Sequence, residues 1–462
     1  MKRGLATSLM VVLCPATVVV LAGCGTPPPP PGSTPASTPA STQASTTAPA
    51  EPVSFEIWTD PWDPYSQDWL NYWTDQFNQT HPNIQVTIQY VPGDTWNQKL
   101  TAAQAGGTAP EAYRVNYKDI PTDVSLGQLL PLDQYIDPAT WSDVLPNISD
   151  AVSVGGQHYT VPFLIEPGNI LYYNKDLFSA AGLDPSKPPT TWDELWTDCD
   201  ALKASNADIY CYQVPTLEGD LAWTSVGQQM NAAGHLAVSD DWSKATVTDQ
   251  GYQDFVSFYA TLMSKGYAPE QALSDPFSID PVAQANAAML VTGSWGTQLI
   301  KNNYPDMMDH IGVGLMPTKT GDATKPVSTL GGWTYGIDAN AKHPKEVAEF
   351  LTWIYLGDPK IMADFFQRSM YAKYTVRSSV QQTIAADPAA ASDPWVNFIS
   401  TNINPRGFME PIYAWDIQTA VARAVERVWT EGQSVTDALA QASDEISQYI
   451  ANNNYAGTNP RK

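Results

Sequence analysis

The chain has few cysteines, few histidines and little positive charge. Its 462 residues include four Cys and five His, and none of them stand at the spacing of a metal-ligand set. No metal site and no cofactor are therefore expected. Lys and Arg number 24 against 48 Asp and Glu, a net charge of −24. Such acidity argues against nucleic acid as a partner and against direct docking on anionic lipid. Beyond residues 5–21, no apolar run is long enough to span a bilayer, so the rest is expected to be soluble. A metalloprotease helix motif, a Walker loop, a G-x-S-x-G elbow and a solenoid repeat are all absent. Aromatic residues are plentiful: 16 Trp and 22 Tyr exceed what core packing asks for, so some should line a surface or cleft. The length itself favours two lobes over one core.

Lys2 and Arg3 precede the apolar run, which ends in Leu21-Ala22-Gly23-Cys24. A basic start, an apolar middle and small residues before a break read as an export signal over residues 1–23. The ending resembles a bacterial lipobox, which implies lipidation of Cys24. A plain secretory signal and an uncleaved anchor are the alternatives. The expected location is the cell membrane, lipid-anchored on its extracytoplasmic face. Residues 24–51 are rich in Pro, Ser, Thr and Ala without large apolar side chains, and read as a disordered tether. Of the cysteines, Cys199 and Cys211 remain, 12 residues apart in an exported chain. A disulfide is expected, tying a helix over 192–204 to a strand over 209–212; two buried thiols are the alternative.

From residue 53 the pattern alternates. Strands are predicted at 53–58, 84–91 and 112–115, with helices at 68–78 and 95–105 between them. The first helix carries Trp69, Tyr72, Trp73 and Phe77 at helical spacing. Strand, helix, strand, helix, strand implies a parallel sheet covered by helices, with a crevice at the strand ends. Further on, helices are predicted at 191–204, 223–233, 249–265, 344–355, 361–368, 417–428 and 435–452. Strands are predicted at 209–214, 311–317 and 327–337, and 285–292 as a helix end passing into a strand. Between the two halves lies HYTVPFLIEPGNILYYNKDLF, residues 158–178. It reads as two apolar strands broken at Pro162 and again at Pro167-Gly168, able to carry the backbone from one lobe into another. Glu166 stands alone at that kink. A lone acid is costly to bury unless paired, so it is either a salt-bridged structural residue or a ligand contact at a hinge.

Several landmarks occur in order. FNQTHPNIQV (77–86) is followed by GGTAPEAYRV (106–115), LPLDQYI, GQHYTVP, YYNKDLF and PPTTWDEL. Then come AQANAAMLVTGSW, VGLMPT, the GGW segment and HPKEVAEFLTWI. This order, across residues 53–452, resembles the carbohydrate-binding family of extracellular solute-binding proteins of ABC importers that includes maltose-binding protein. Two departures stand out: Glu111 replaces the family's usual Asp, and the Phe and Gly that open the AAM segment are not evident. The resemblance implies an α/β, periplasmic-binding-protein-like type II fold, two α/β lobes joined by a hinge with the ligand cleft between them. Lobe one would be 52–164 with 333–386, lobe two 165–332 with 387–455, and 456–462 a tail. It implies a sugar ligand, a membrane permease driven by an ATPase as partner, and no chemistry. Monomer is the default.

A pyranose offers a C–H face to aromatic rings and a rim of hydroxyls to carboxylates and amides. Carried over by position, the resemblance points to Trp295 at a strand-to-helix turn and to Trp415 before the C-terminal helices. Flanking Gly293 and Gly296 would give backbone room for a ligand beside Trp295. It also points to the acids Glu166 and Glu218, the latter with Asp220 and Trp223 just beyond. Asp60, Trp62 and Asp63 lie in the first strand-to-helix loop; Asp60 and Asp63 could equally be turn-formers or caps. Trp333 follows the double Gly. Asn116 and Lys118 stand where the family places an aromatic and a carboxylate, which leaves room for a ligand other than a malto-oligosaccharide. Two rival readings stay open: a secreted glycoside hydrolase, which needs two carboxylates across the scissile bond, and a binder of a non-sugar solute.

Overall fold

A computed structural model describes residues 52–461 except 62, 94, 216, 217 and 276. The signal segment, the tether, Cys24 and Trp62 lie outside the described residues. Within them are twelve strands: Val53–Thr59 (β1), Ile84–Tyr90 (β2), Ala112–Asn116 (β3), Ser153–Val154 (β4), Gln157–His158 (β5) and Thr160–Pro167 (β6), then Ile170–Asn174 (β7), Tyr210–Gln213 (β8), Ala287–Thr292 (β9), Ile311–Leu315 (β10), Ser328–Ile337 (β11) and Gly407–Met409 (β12). No described helix is long and apolar enough to cross a membrane. No described group of three or more His, Cys, Asp or Glu could hold a metal ion.

The first strands pair in parallel, Val53 beside Ile84 and Ile57 beside Ala112. The helix Pro64–Thr80 starts where Asp63 accepts a hydrogen bond from the Ser66 amide at 2.6 Å and Pro64 sets the first turn. It buries Trp69, Leu70 and Phe77; Trp69 stacks on Phe163 at 5.7 Å and donates to the Ile361 carbonyl at 3.0 Å. Its start, four residues ahead of the predicted one, is set by this cap rather than by apolar spacing.

β11 is the spine of a six-stranded sheet ordered β12-β11-β3-β1-β2, with β6 paired along the other side of β11. Pro162 does not break β6: it lies opposite Thr334, beside a bulge at Trp333–Thr334. A proline, which lacks an N–H, is tolerated there because β6 is an outer strand and the bulge already interrupts the ladder. The chain leaves this sheet at Pro167-Gly168-Asn169 and enters a four-stranded sheet ordered β10-β7-β9-β8. A Cβ at Gly168 would sit 2.7 Å from Thr329 Oγ1, so only glycine lets β6 and β11 cross this closely. Buried Asn169 ties the crossing together. Its Oδ1 accepts from the Thr329 amide at 3.1 Å, and its Nδ2 donates to the Thr224 carbonyl at 2.8 Å.

Helices Trp192–Ser205, Gln250–Ser264, Trp415–Thr430 and Val435–Asn452 cover the second sheet. Their apolar faces build a separate core around Phe255, Leu262, Ile417, Val421 and Ile446. The predicted helix over 223–233 divides at Ser225 into Glu218–Thr224 and Val226–Ala233. The predicted helix over 344–355 widens into a π turn at Thr352–Leu356.

Cys199 and Cys211 form a disulfide with their Cα atoms 5.2 Å apart, joining the helix Trp192–Ser205 to β8. Closing so short a loop removes about 2–3 kcal/mol of unfolded-chain entropy. The Cys199→Ser/Cys211→Ser double variant should therefore melt several degrees lower and show a lower urea midpoint. Equal midpoints for the two proteins would show the bond to be energetically silent.

Candidate functional site

A cavity of about 730 Å³ opens where the ends of the two sheets face each other. One wall is aromatic. Trp223 and Trp295 stand 5.8 Å apart at 31°, and Phe277 meets each of them edge-on at 5.9 Å. The Trp295 indole N–H donates to the Phe277 carbonyl at 2.9 Å, which fixes the ring. Trp295 opens the helix Trp295–Asn303 directly after β9, so its ring leans over the turn. A Cβ on Gly293 would fall 2.0 Å from Trp295 Cζ3, and one on Gly296 would fall 2.6 Å from Tyr172 Cζ. The room beside these glycines is thus taken by the protein's own rings and is not left for a ligand.

The facing wall is Trp333, half-buried on β11, with Arg114 and Lys373 carrying their charges 5.8 and 5.7 Å from its ring centre. Glu166, on β6 opposite Gly331, forms an ion pair with Lys373, and both are buried. Glu166 is therefore salt-bridged, the first of its two expected readings, and it also lines the cavity. Asn116 accepts from Arg114 at 2.8 Å and donates to Asp119 at 2.7 Å. Asp63 both caps its helix and lines the cavity; burial raises its carboxyl against the pull of the Ser66 hydrogen bonds. Across the opening, Tyr65 Oη donates to Gln298 Oε1, while Gln298 Nε2 is buried without a hydrogen-bond partner.

Glu410 completes the lining. It accepts from the Trp223 indole N–H at 3.3 Å, and burial pushes its carboxyl up to about 7 against the pull of Lys118. A carboxyl raised on folding keeps its proton where the unfolded chain has lost it. Its contribution to stability is full below an ordinary value near 4.5 and is lost as pH rises towards 7. Glu410→Gln is expected to flatten this dependence, so the variant's melting temperature should gain on wild type between about pH 5 and pH 8. A constant difference between the two across that range would rule Glu410 out as the source.

Of the residues singled out in the sequence, Asp63, Asn116, Lys118, Glu166, Trp223, Trp295 and Trp333 line this cavity. Asp60, Glu218, Asp220 and Trp415 do not. Asp60 is held by Arg114 at 2.7 Å. Glu218 pairs with Arg423 at 2.7 Å, and Arg423 also holds Glu445, so the acid ties its helix to the C-terminal pair. Asp220 is half-buried on the helix Glu218–Thr224, its carboxyl raised by burial and then by the nearby charge of Asp275. Trp415 is 41% exposed at the first position of its helix, between Tyr413 and Ile417, which are buried in the second core and turn it outward. Sequence reading missed Tyr65, Phe277, Gln298, Lys373 and Glu410 as lining residues. Glu410 carried a readable signal: like Glu166, it is a lone acid in an apolar run, GFMEPIYAW.

Two sheets joined by crossing strands face each other across an aromatic and polar cavity that is large enough for a small solute. The chain matches the family described as bacterial extracellular solute-binding protein over residues 63–356, and it belongs to that family. It is 29% identical over 244 residues to a probable ABC transporter-binding protein of Deinococcus radiodurans, a match covering 50% of this chain and 55% of that one. The match thus spans only about half of that relative. A mannitol-binding protein of Pseudomonas aeruginosa is 26% identical over 287 residues, 60% of this chain and 63% of its own. Among solved structures, a cyclic alpha-maltosyl-1,6-maltose binding protein from Arthrobacter globiformis superposes with a TM-score of 0.72 at 22% identity, over 87% of this chain and all of that one. The fold is accordingly the periplasmic-binding-protein-like type II fold.

Proposed function

We propose that this protein is the substrate-binding component of an ABC importer and captures a sugar or oligosaccharide without altering it. The observation that carries the reading is the cavity itself: Trp223, Trp295 and Phe277 form one wall, Trp333 the other, and Asn116, Asp63, Gln298 and Glu410 stand around them. Rings meet the C–H face of a pyranose and polar groups meet its hydroxyls. A mannitol-binding relative and a structural neighbour that binds a cyclic maltosyl-maltose support the same class of ligand.

In this reading the lobes are roughly 52–164 with 333–386 and 165–332 with 387–455, except that the segment carrying β12, which pairs with β11 in the first sheet, goes with the first lobe; a short tail follows at 456–462, and β6 and β11 carry the crossings. The ligand binds first to one wall and draws the other onto it, shifting an open–closed equilibrium. The closed form delivers the sugar to a membrane permease, while lipidated Cys24 and the tether hold the protein, as a monomer, on the outer face of the cell membrane. Micromolar capture needs only about −8 kcal/mol. Glu166 is committed to Lys373, which suits a binding role better than proton transfer.

The test is a thermal-shift screen of mono- and oligosaccharides, with chromatography of each ligand after incubation. A binder raises the melting temperature with at least one sugar and returns it intact. Released product would identify a hydrolase. A shift with peptides, polyamines or phosphate and none with sugars would identify another solute.

A further inference from the structure

The charges that line the cleft do not balance. Five charged side chains border it: Asp63, Lys118, Glu166, Lys373 and Glu410. Lys373 is taken by Glu166, and Lys118 by Asp119 at 2.7 Å. A ligand carboxylate or phosphate would find both cations spent. Among the described residues, Asp63 and Glu410 have no ion-pair partner. The rings divide in the same way. Trp333 already faces the charges of Arg114 and Lys373, whereas no described Lys or Arg stands over Trp223, Trp295 or Phe277. The face of an aromatic ring attracts a cation, and so does a carboxylate. Glu410 brings the two together, because its carboxyl accepts from the Trp223 indole N–H at 3.3 Å.

Gly331 leaves this corner open. A Cβ there would stand 3.7 Å from Trp223 Cζ2 and 3.8 Å from Glu410 Oε1, in the space that both border. Neither contact is a clash, and Gly331 is not among the residues with positive φ, so β11 does not need glycine here for its own packing. Gly331, Trp223 and Glu410 all line the cleft, and the missing side chain keeps the carboxyl and the ring within reach of a ligand. We propose that the cleft selects a saccharide carrying a protonated amine, an amino sugar, and seats that amine between Glu410 and the Trp223 ring. This rests on the reading of the cleft as a saccharide site. Burial raises the Glu410 carboxyl, Lys118 pulls it down, Asp119 pushes it up and the Trp223 N–H pulls it down. The buried Tyr117 phenol beside it keeps its proton. An ammonium group arriving there pulls the carboxyl down further, so binding near pH 7 releases a proton. Affinity for an amino sugar then rises from pH 5 to pH 7.

The experiment is calorimetric titration of the full chain with matched sugars that differ in their amines: glucose and glucosamine, galactose and galactosamine, cellobiose and fully deacetylated chitobiose. Wild type, Glu410→Gln and Gly331→Ala are compared at pH 5 and pH 7, the latter in two buffers of different ionisation heat. At least one amine is expected to bind wild type roughly tenfold or more tightly than its hydroxyl partner. It should bind more tightly at pH 7 than at pH 5 and release a proton. Glu410→Gln should bring the ratio close to one and abolish the proton release. Gly331→Ala should lower the ratio with the carboxyl still present; if that variant does not fold by circular dichroism, Glu410→Gln alone decides. The proposal is overturned if no amine binds, if each hydroxyl sugar binds as tightly as its amine, or if the preference survives Glu410→Gln. Neutral sugars that bind with no amine preference would overturn it and leave the cleft reading standing. Failure of every saccharide in the wider screen would overturn both.

Discussion

Lys373→Met is expected to lower the melting temperature of the ligand-free protein by roughly 5 °C or more, the largest loss of any single cleft substitution. Glu166 and Lys373 have side-chain exposures of only 9% and 5%. Removing one partner of such a pair leaves the other charge buried and uncompensated, which costs about 3–5 kcal/mol. Deleting both charges removes that penalty, so Glu166→Gln/Lys373→Met should recover most of the loss. A thermal melt of the four proteins of this cycle measures the coupling directly. If Lys373→Met melts within 1 °C of wild type, the pair does not hold the crossing together.

Trp295→Ala should weaken binding of the saccharide found in the screen by roughly a hundredfold while shifting the ligand-free melting temperature little. Buried aromatic anchors in binding sites typically contribute 2 kcal/mol or more. Trp295 is half-buried and borders the cavity, so its truncation removes ligand contact more than core packing. Gly293→Ala reaches the same ring by another route. Its Cβ would fall 2.0 Å from Trp295 Cζ3 and must displace the indole, so affinity should fall in the same direction with the tryptophan still present. Calorimetry with unchanged affinity in both variants would remove Trp295 from the site. A large drop in ligand-free stability would make it a core residue.

Much of the architecture was legible along the chain. The alternation in VSFEIWT and the helical spacing of Trp69, Trp73 and Phe77 announce β1 and the helix after it, because burial on one face leaves a periodic trace. Pro167-Gly168 marks the crossing because the backbone there must pass close to Thr329. Trp192 and Trp429, both on helices, pack into the second core and are 8% and 7% exposed. Trp415 shows where such reading stops. Its position at a helix start is visible in YAWD, but the direction it faces is set by how Tyr413 and Ile417 dock into the second core.

The sequence by itself determined the family, the α/β order of elements, the place of the crossing and most of the aromatic cleft wall. These follow from local periodicity, turn chemistry and motif order, each confined to a short stretch. Only the tertiary structure decided which charges meet. Glu166 finds Lys373 across 207 residues, Tyr65 finds Gln298 across 233, and Trp223 finds Glu410 across 187. A side chain's partner at that range depends on how two sheets and their helices pack together. No local pattern encodes it, so that Glu218 turns to Arg423 and not to the cavity was visible only once the chain was folded.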